Sequence, residues 1–201
     1  MFVVTADQRA STREGDRVAQ LLADLAPWER DWADSIVLPL ERTVGDEVQT
    51  VLSTPDAAVD LALTLARAKQ WAVGIGVGGV DEPLGASARA SSGVAFVLAR
   101  KAVERAKLKT EPVSLAVAGT HEGAAEAATA VMQLLASVVR RRSAAGWEVA
   151  DLLKDGATQR DVAAQLKISD QAVSQRVASA MIDEERRARP VAVVLLNSAG
   201  R

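Results

Sequence analysis

Residues 158–179 read Thr-Gln-Arg-Asp-Val-Ala-Ala-Gln-Leu-Lys-Ile-Ser-Asp-Gln-Ala-Val-Ser-Gln-Arg-Val-Ala-Ser. Thr158 is placed to cap a helix, with Asp161 three residues on as the acid of a capping box. Val162 and Leu166 share one face, and Ala163 is small where two helices must cross closely. Ile168 is expected to plug the turn, and Ser169 to cap a second helix. Val173 and Val177, one turn apart, anchor that helix. Lys167 stands where such turns usually carry glycine, at some strain cost. The spacing predicts a helix-turn-helix whose second helix presents Asp170, Gln171, Ser174, Gln175 and Arg176. Glutamine pairs bidentately with adenine, arginine with guanine, and serine with several bases. These residues, with Thr158, Gln159, Arg160 and Ser169, are the expected contacts to double-stranded DNA. An ordinary pair of packed helices is the structural alternative.

The charge changes sign just upstream. From Arg140 to Arg189 there are ten Lys/Arg against eight Asp/Glu, a net of +2, whereas residues 1–139 carry thirteen against eighteen, a net of -5. Arg140-Arg141-Arg142 marks the change and is expected to meet phosphates, or else to form a solvated helix face. The organisation read from this is a domain over 1–120, a connecting helix over 121–145 and the helix-turn-helix domain over 146–201. The whole chain of 201 residues has a net charge of -2, 49% hydrophobic residues, no cysteine and one histidine, His121. Disulfides, thiol catalysis and His-rich metal sites are thereby excluded. No apolar run reaches the ~20 residues of a membrane span, and no signal-peptide pattern opens the chain. The expectation is a cytoplasmic protein with no membrane partner.

Residues 2–6 are β-branched enough for a strand, ended by Asp7. Val18, Leu21, Leu22 and Leu25 recur at helical spacing, and Pro27 is expected to stop that helix. Residues 37–44 and 48–52 form a hairpin turning at Gly45-Asp46-Glu47, with Pro39 marking a strand start or edge. A helix follows Pro55 through Ala68. Residues 71–77 form a strand, Val94–Lys107 a helix and Val113–Val117 a strand. Glu122–Arg142 is helical, with Val131, Leu134, Leu135 and Val138 on one face. Residues 190–197 read as either helix or strand, because Pro190 suits a first helical turn and the β-branched run suits a sheet. Trp28, Trp32, Trp71 and Trp147 are expected as core or interface anchors. His121 is expected at a helix start. The order βαββαβ followed by αβ points to an α+β domain on one antiparallel or mixed sheet, of ferredoxin-like or palm type.

Palm-type phosphoryl transfer needs two carboxylates near one point to hold divalent metal ions. Asp7 after the first strand and Asp46 on the hairpin occupy such places. The plain alternative is turn and cap chemistry, which favours Asp regardless.

Several stretches resemble known families. Trp147 to Met181 resembles region 4 of sigma factors and the helix-turn-helix of response regulators. That resemblance implies major-groove insertion of the helix starting near Asp170. One small module binds weakly, so a homodimer is expected. Arg42-Thr43-Val44-Gly45-Asp46 resembles the Lys-x-x-Gly-Asp motif of class III nucleotidyl cyclases, and Gly45-Asp46-Glu47-Val48 the hairpin of diguanylate cyclases. This implies metal at Asp7 and Asp46, a nucleotide at Arg42 and Arg100, and Mg as the cation. Two departures oppose catalysis. Arg42 replaces the base-selecting Lys, and Phe96 stands where the cyclase pattern has Asn four residues before Arg100. Asp7, Gly45-Asp46-Glu47 and Gly93-x-Ala95-Phe96-x-x-Ala99-Arg100, together with the helix-turn-helix, resemble the SatD-like family. The combined expectation is a bacterial transcriptional regulator whose cyclase-like domain dimerises or senses a nucleotide effector. Two other readings stand beside it: a metal-dependent nucleotidyl cyclase or other phosphoryl-transfer enzyme, and a sigma-like module that binds protein.

Overall fold

The computed structural model describes residues 1–9 and 11–201. In chain order the elements are β1 (Phe2–Gln8), α1 (Ser11–Glu14), α2 (Val18–Asp31), β2 (Ile36–Arg42), β3 (Glu47–Leu52), α3 (Pro55–Ala68), β4 (Trp71–Val77), α4 (Val94–Ala106), β5 (Leu115–Gly119), α5 (Glu122–Arg141), α6 (Ala144–Lys154), α7 (Gln159–Leu166), α8 (Asp170–Ser179) and α9 (Ile182–Ser198). The architecture is α+β, with five strands in one mixed sheet ordered β2-β3-β1-β4-β5. The first four pair antiparallel, and β5 runs parallel to β4 from Val73↔Leu115 to Val77↔Gly119. No helix among the described residues is long and apolar enough to cross a membrane.

β1 lies between β3 and β4 and is buried along nearly its whole length. Phe2, Val4 and Ala6 face one side, where Leu61, Leu65, Met132 and Leu135 complete the main core. Val3 faces the other side, toward Ala95 and Ala99 of α4. The two faces of the strand therefore serve two cores, as side-chain alternation dictates. At the sheet edge, β2 breaks register with β3 on both sides of Leu38. Pro39 sits in that irregular stretch, where a missing N–H costs no ladder bond.

The approach of α4 to the sheet is set by Gly74 and Gly76 on β4. A Cβ on Gly76 would lie 2.1 Å from the Ala95 carbonyl oxygen and 2.2 Å from the Ala99 nitrogen. A Cβ on Gly74 would lie 2.2 Å from the Val103 nitrogen. The Gly-x-Gly strand and the small residues Ala95, Ala99 and Ala102 thus let helix backbone lie directly on strand backbone.

Two expectations are corrected, and one alternative left open is resolved. α2 does not stop at Pro27 but continues to Asp31. Trp28 is buried, and its indole N–H donates to Asp60 at 3.0 Å, an anchor that outweighs the bond Pro27 cannot make. On α5 the buried face runs through Ala128, Met132, Leu135, Ala136 and Val139, and Leu134 is turned out at 66% exposure. The ambiguous 190–197 segment is helix, with Pro190 inside α9 rather than in its first turn. Ala192 and Leu196 belong to the main core, where α9 packs on α3 and α5, and this packing overrides the β-branched preference.

Candidate nucleic-acid interface

α7 and α8 are joined by Lys167-Ile168-Ser169, and both helix starts are capped. The Thr158 hydroxyl accepts from the Asp161 N–H at 3.2 Å, and Asp161 accepts from the Thr158 N–H at 2.9 Å. The Thr158 hydroxyl also donates to the Asp161 carboxylate at 2.6 Å, and this bond together with the Thr158 N–H holds the carboxyl below its usual range. The Ser169 hydroxyl accepts from the Ala172 N–H at 3.1 Å. Lys167 ends α7 in the left-handed region, at φ 54° and ψ 44°. The turn requires that conformation, and Lys pays it with backbone strain where glycine would not. Val149, Val162, Ala163, Val173 and Val177 form a small core of their own, with Leu166 and Ile168 packed against it. The first helix of this unit, α6, is capped by Ser143 through the Gly146 N–H at 3.1 Å.

With Val173 and Val177 inward, α8 turns Asp170, Gln171, Ser174 and Gln175 to solvent. Thr158, Gln159, Arg160 and Ser169 are exposed beside them. The Ser174 hydroxyl donates to the Gln159 side chain at 3.0 Å, which ties the start of α7 to the middle of α8. Arg176 is half-buried and donates to Glu148 of α6 at 3.1 Å. The arginine run does not act as one group. Arg141 is exposed and Arg140 is half-buried. Burial and the nearby Arg9 charge both press the Arg140 guanidinium below its usual value. Arg142 is a correction: its side chain is 2% exposed and it donates to Glu185 at 2.5 Å and to the Ala180 carbonyl at 3.1 Å. It also lies 4.4 Å from the Trp147 ring centroid. Buried and paired, it is not presented to a phosphate.

The carboxylates of the sheet are arranged differently from the sequence expectation. Asp7 is the register partner of Glu47, not of Asp46. Asp7 pairs with Lys107 at 2.8 Å, and the buried Glu47 pairs with Arg100 at 3.3 Å. Thr43 donates to Glu47 at 2.7 Å. Asp46 meets this end of β1 through its main chain, where its carbonyl accepts from the Gln8 N–H at 3.2 Å. Burial disfavours the Lys107 ammonium, but hydrogen bonds to Asp7 and Glu104 outweigh it and raise its pKa. A cation is therefore already fixed at Asp7, supplied by the residue that follows α4. Arg42 clasps the hairpin, donating to the Gly45 carbonyl at 2.9 Å and to Asp16 at 2.7 Å. Arg42 and Arg100 thus serve separate acids. Phe96 packs in the small apolar cluster with Val3, Leu38 and Val51. Among the described residues no group of three or more His, Asp or Glu side chains is placed to hold a metal ion.

Sequence reasoning missed Glu47 and Asp60. Glu47 was overshadowed by its turn neighbour, although strand alternation from Val51 through Gln49 puts it on the face toward α4. Asp60 interrupts the apolar run of α3, a buried-charge signal readable without the structure. Its carboxylate accepts from Trp28 at 3.0 Å, Trp32 at 3.2 Å and Arg189 at 2.6 Å. Arg189 in turn pairs with Glu185 at 2.7 Å, and Glu185 with Arg142. This chain of charges joins α3 to α9 and to the start of α6. Comparison of the chain with family models, curated proteins and solved structures finds no match.

Proposed function

We propose that the chain is a DNA-binding regulator in which α7 and α8 form a helix-turn-helix and α8 enters the major groove. The observation that carries this reading is the outward face of α8. Gln171, Ser174 and Gln175 are exposed on a capped helix that Val173 and Val177 hold from behind. These side chains suit base edges, and the exposed Arg160, next to Gln159 on α7, suits a phosphate. A second copy of the chain would present a second α8 and allow two half-sites to be read.

In the same reading the sheet is of ferredoxin-like or palm type and is a non-catalytic unit for dimerisation or nucleotide sensing. Its support is the engagement of the charged groups: Asp7 with Lys107, Glu47 with Arg100, and Arg42 with the hairpin. Phe96 offers no hydrogen bond to developing negative charge, and losing one such donor commonly costs about 10²–10³ in rate. The order of motifs along the chain adds the resemblance to SatD-like proteins. The experiment is selection of bound fragments from genomic DNA by the purified full chain, with and without nucleoside triphosphates. Enrichment of a shared sequence is the expected result. Retention of all fragments alike, or of none, contradicts the reading.

A further inference from the structure

A cleft of about 490 Å³ opens between helices α3 and α9 on one side and α6, α7 and α8 on the other. Its size is in the range of small-molecule sites, which favour junctions of this kind. The inner wall is apolar, built from Leu153, Ala157, Val177 and Ile182. The remaining wall is charged, with Arg142, Lys154, Arg186 and Arg189 set among Asp60, Asp151, Asp183 and Glu185.

Each carboxylate facing the cleft already has a cationic partner. Asp60 holds Arg189 and two indole N–H groups. Asp151 takes two bonds from Arg67, at 2.7 and 2.8 Å, and Arg67 also stacks 3.7 Å from the centroid of Trp147. Glu185 holds Arg142 and Arg189, and Asp183 holds Arg186. The cations are less fully used. The Lys154 ammonium is 3.6 Å from Asp60, beyond hydrogen-bond reach, and its side chain is 62% exposed. Arg186 is 75% exposed and gives one nitrogen to Asp183 at 2.8 Å. Lysine has three donors and arginine five, so unused N–H groups stand over an apolar wall.

We propose that this cleft binds a small organic anion, with an apolar body against Leu153, Val177 and Ile182 and a carboxylate or phosphate head on Lys154 and Arg186. Charge-assisted hydrogen bonds to an anionic head are the strong ones, and the apolar body supplies area to bury. The cleft reaches the outward face of α8 through Gln159, which lines it and holds Ser174. Binding itself does not depend on the DNA reading.

The test is titration calorimetry of the full chain with hexanoate, hexyl phosphate and hexylammonium, chosen because they share one apolar body. At least one anion is expected to bind with a submillimolar Kd while hexylammonium does not. The preferred anion identifies the head group. Lys154→Gln and Arg186→Gln should each weaken the anion about tenfold; thermal unfolding should be unchanged in Arg186→Gln and somewhat lowered in Lys154→Gln, which also removes a cation beside the buried Asp60. Ala157→Trp should abolish binding by filling the cleft. No binding of either anion at millimolar concentration overturns the proposal. So does equal binding of hexylammonium, or an unchanged Kd in both glutamine variants.

Discussion

Asp60 keeps its charge among donors from three helices. Burial opposes the anion, but Lys154, Arg189 and the Trp28 indole hold its pKa below the usual carboxylate value. A depressed folded-state pKa means stability that is present above the unfolded value and lost as pH falls through the folded one. Asp60→Asn should therefore cost about 3 kcal/mol near neutral pH, as breaking a buried pair does. The difference from wild type should shrink as pH falls below about 4. Urea midpoints of both proteins between neutral and strongly acidic pH check this, and a pH-independent difference would argue against an ionised Asp60. Lys167 gives a prediction of opposite sign. At φ 54° it sits where glycine suffers no Cβ penalty. Lys167→Gly should raise stability by about 0.5–1 kcal/mol, the relief of strain less the added chain entropy of glycine. A lower thermal midpoint would mean that the Lys167 side chain has a stabilising contact of its own.

At the scale of elements, glycine has two different jobs in this fold. Gly76 is there for space, because any Cβ would meet the backbone of Ala95 and Ala99. Gly45 is there for conformation, at φ +62° with nothing within 4 Å of an added Cβ. Gly76→Ala should push α4 from the sheet and cost upwards of about 3 kcal/mol, as severe overpacking does. Gly45→Ala should cost only about 1 kcal/mol, the left-handed strain of the turn. Chemical denaturation of the two variants separates them, and equal losses would remove the close-packing argument for β4. The same distinction explains what the sequence made legible. The β2–β3 hairpin, the caps at Thr158 and Ser169 and the start of α5 at His121 are local, and local chemistry encodes them. There the His121 ring nitrogen accepts from the Ala124 N–H at 3.1 Å. The passage of α2 through Pro27, the helical state of α9 and the inward turn of Arg142 rest on partners 32 to 43 residues away or on packing against the main core. No window of a few residues contains that information. The candidate site divides the same way. The outward face of α8 follows from helical periodicity, whereas the pairing of Asp7 with Lys107 needs the fold.

For the whole molecule, two activities are set against each other. If the sheet were a working phosphoryl-transfer centre, Asp7 would hold a metal ion instead of Lys107. Incubation with Mg²⁺ or Mn²⁺ and each nucleoside triphosphate should yield no cyclic nucleotide or dinucleotide. Product that disappears in an Asp46→Ala variant would promote the enzyme reading. The DNA reading is tested most directly by the sequence preference of α8. Competition binding between a selected fragment and base-pair variants of it should be measured for wild type, Gln171→Ala and Gln175→Ala, with folding verified by circular dichroism. Each substitution is expected to remove about 1–3 kcal/mol of discrimination at one or two base pairs and leave the other positions unchanged. Folded variants that keep the wild-type preference at every base pair would contradict the assignment of α8 as the reading helix.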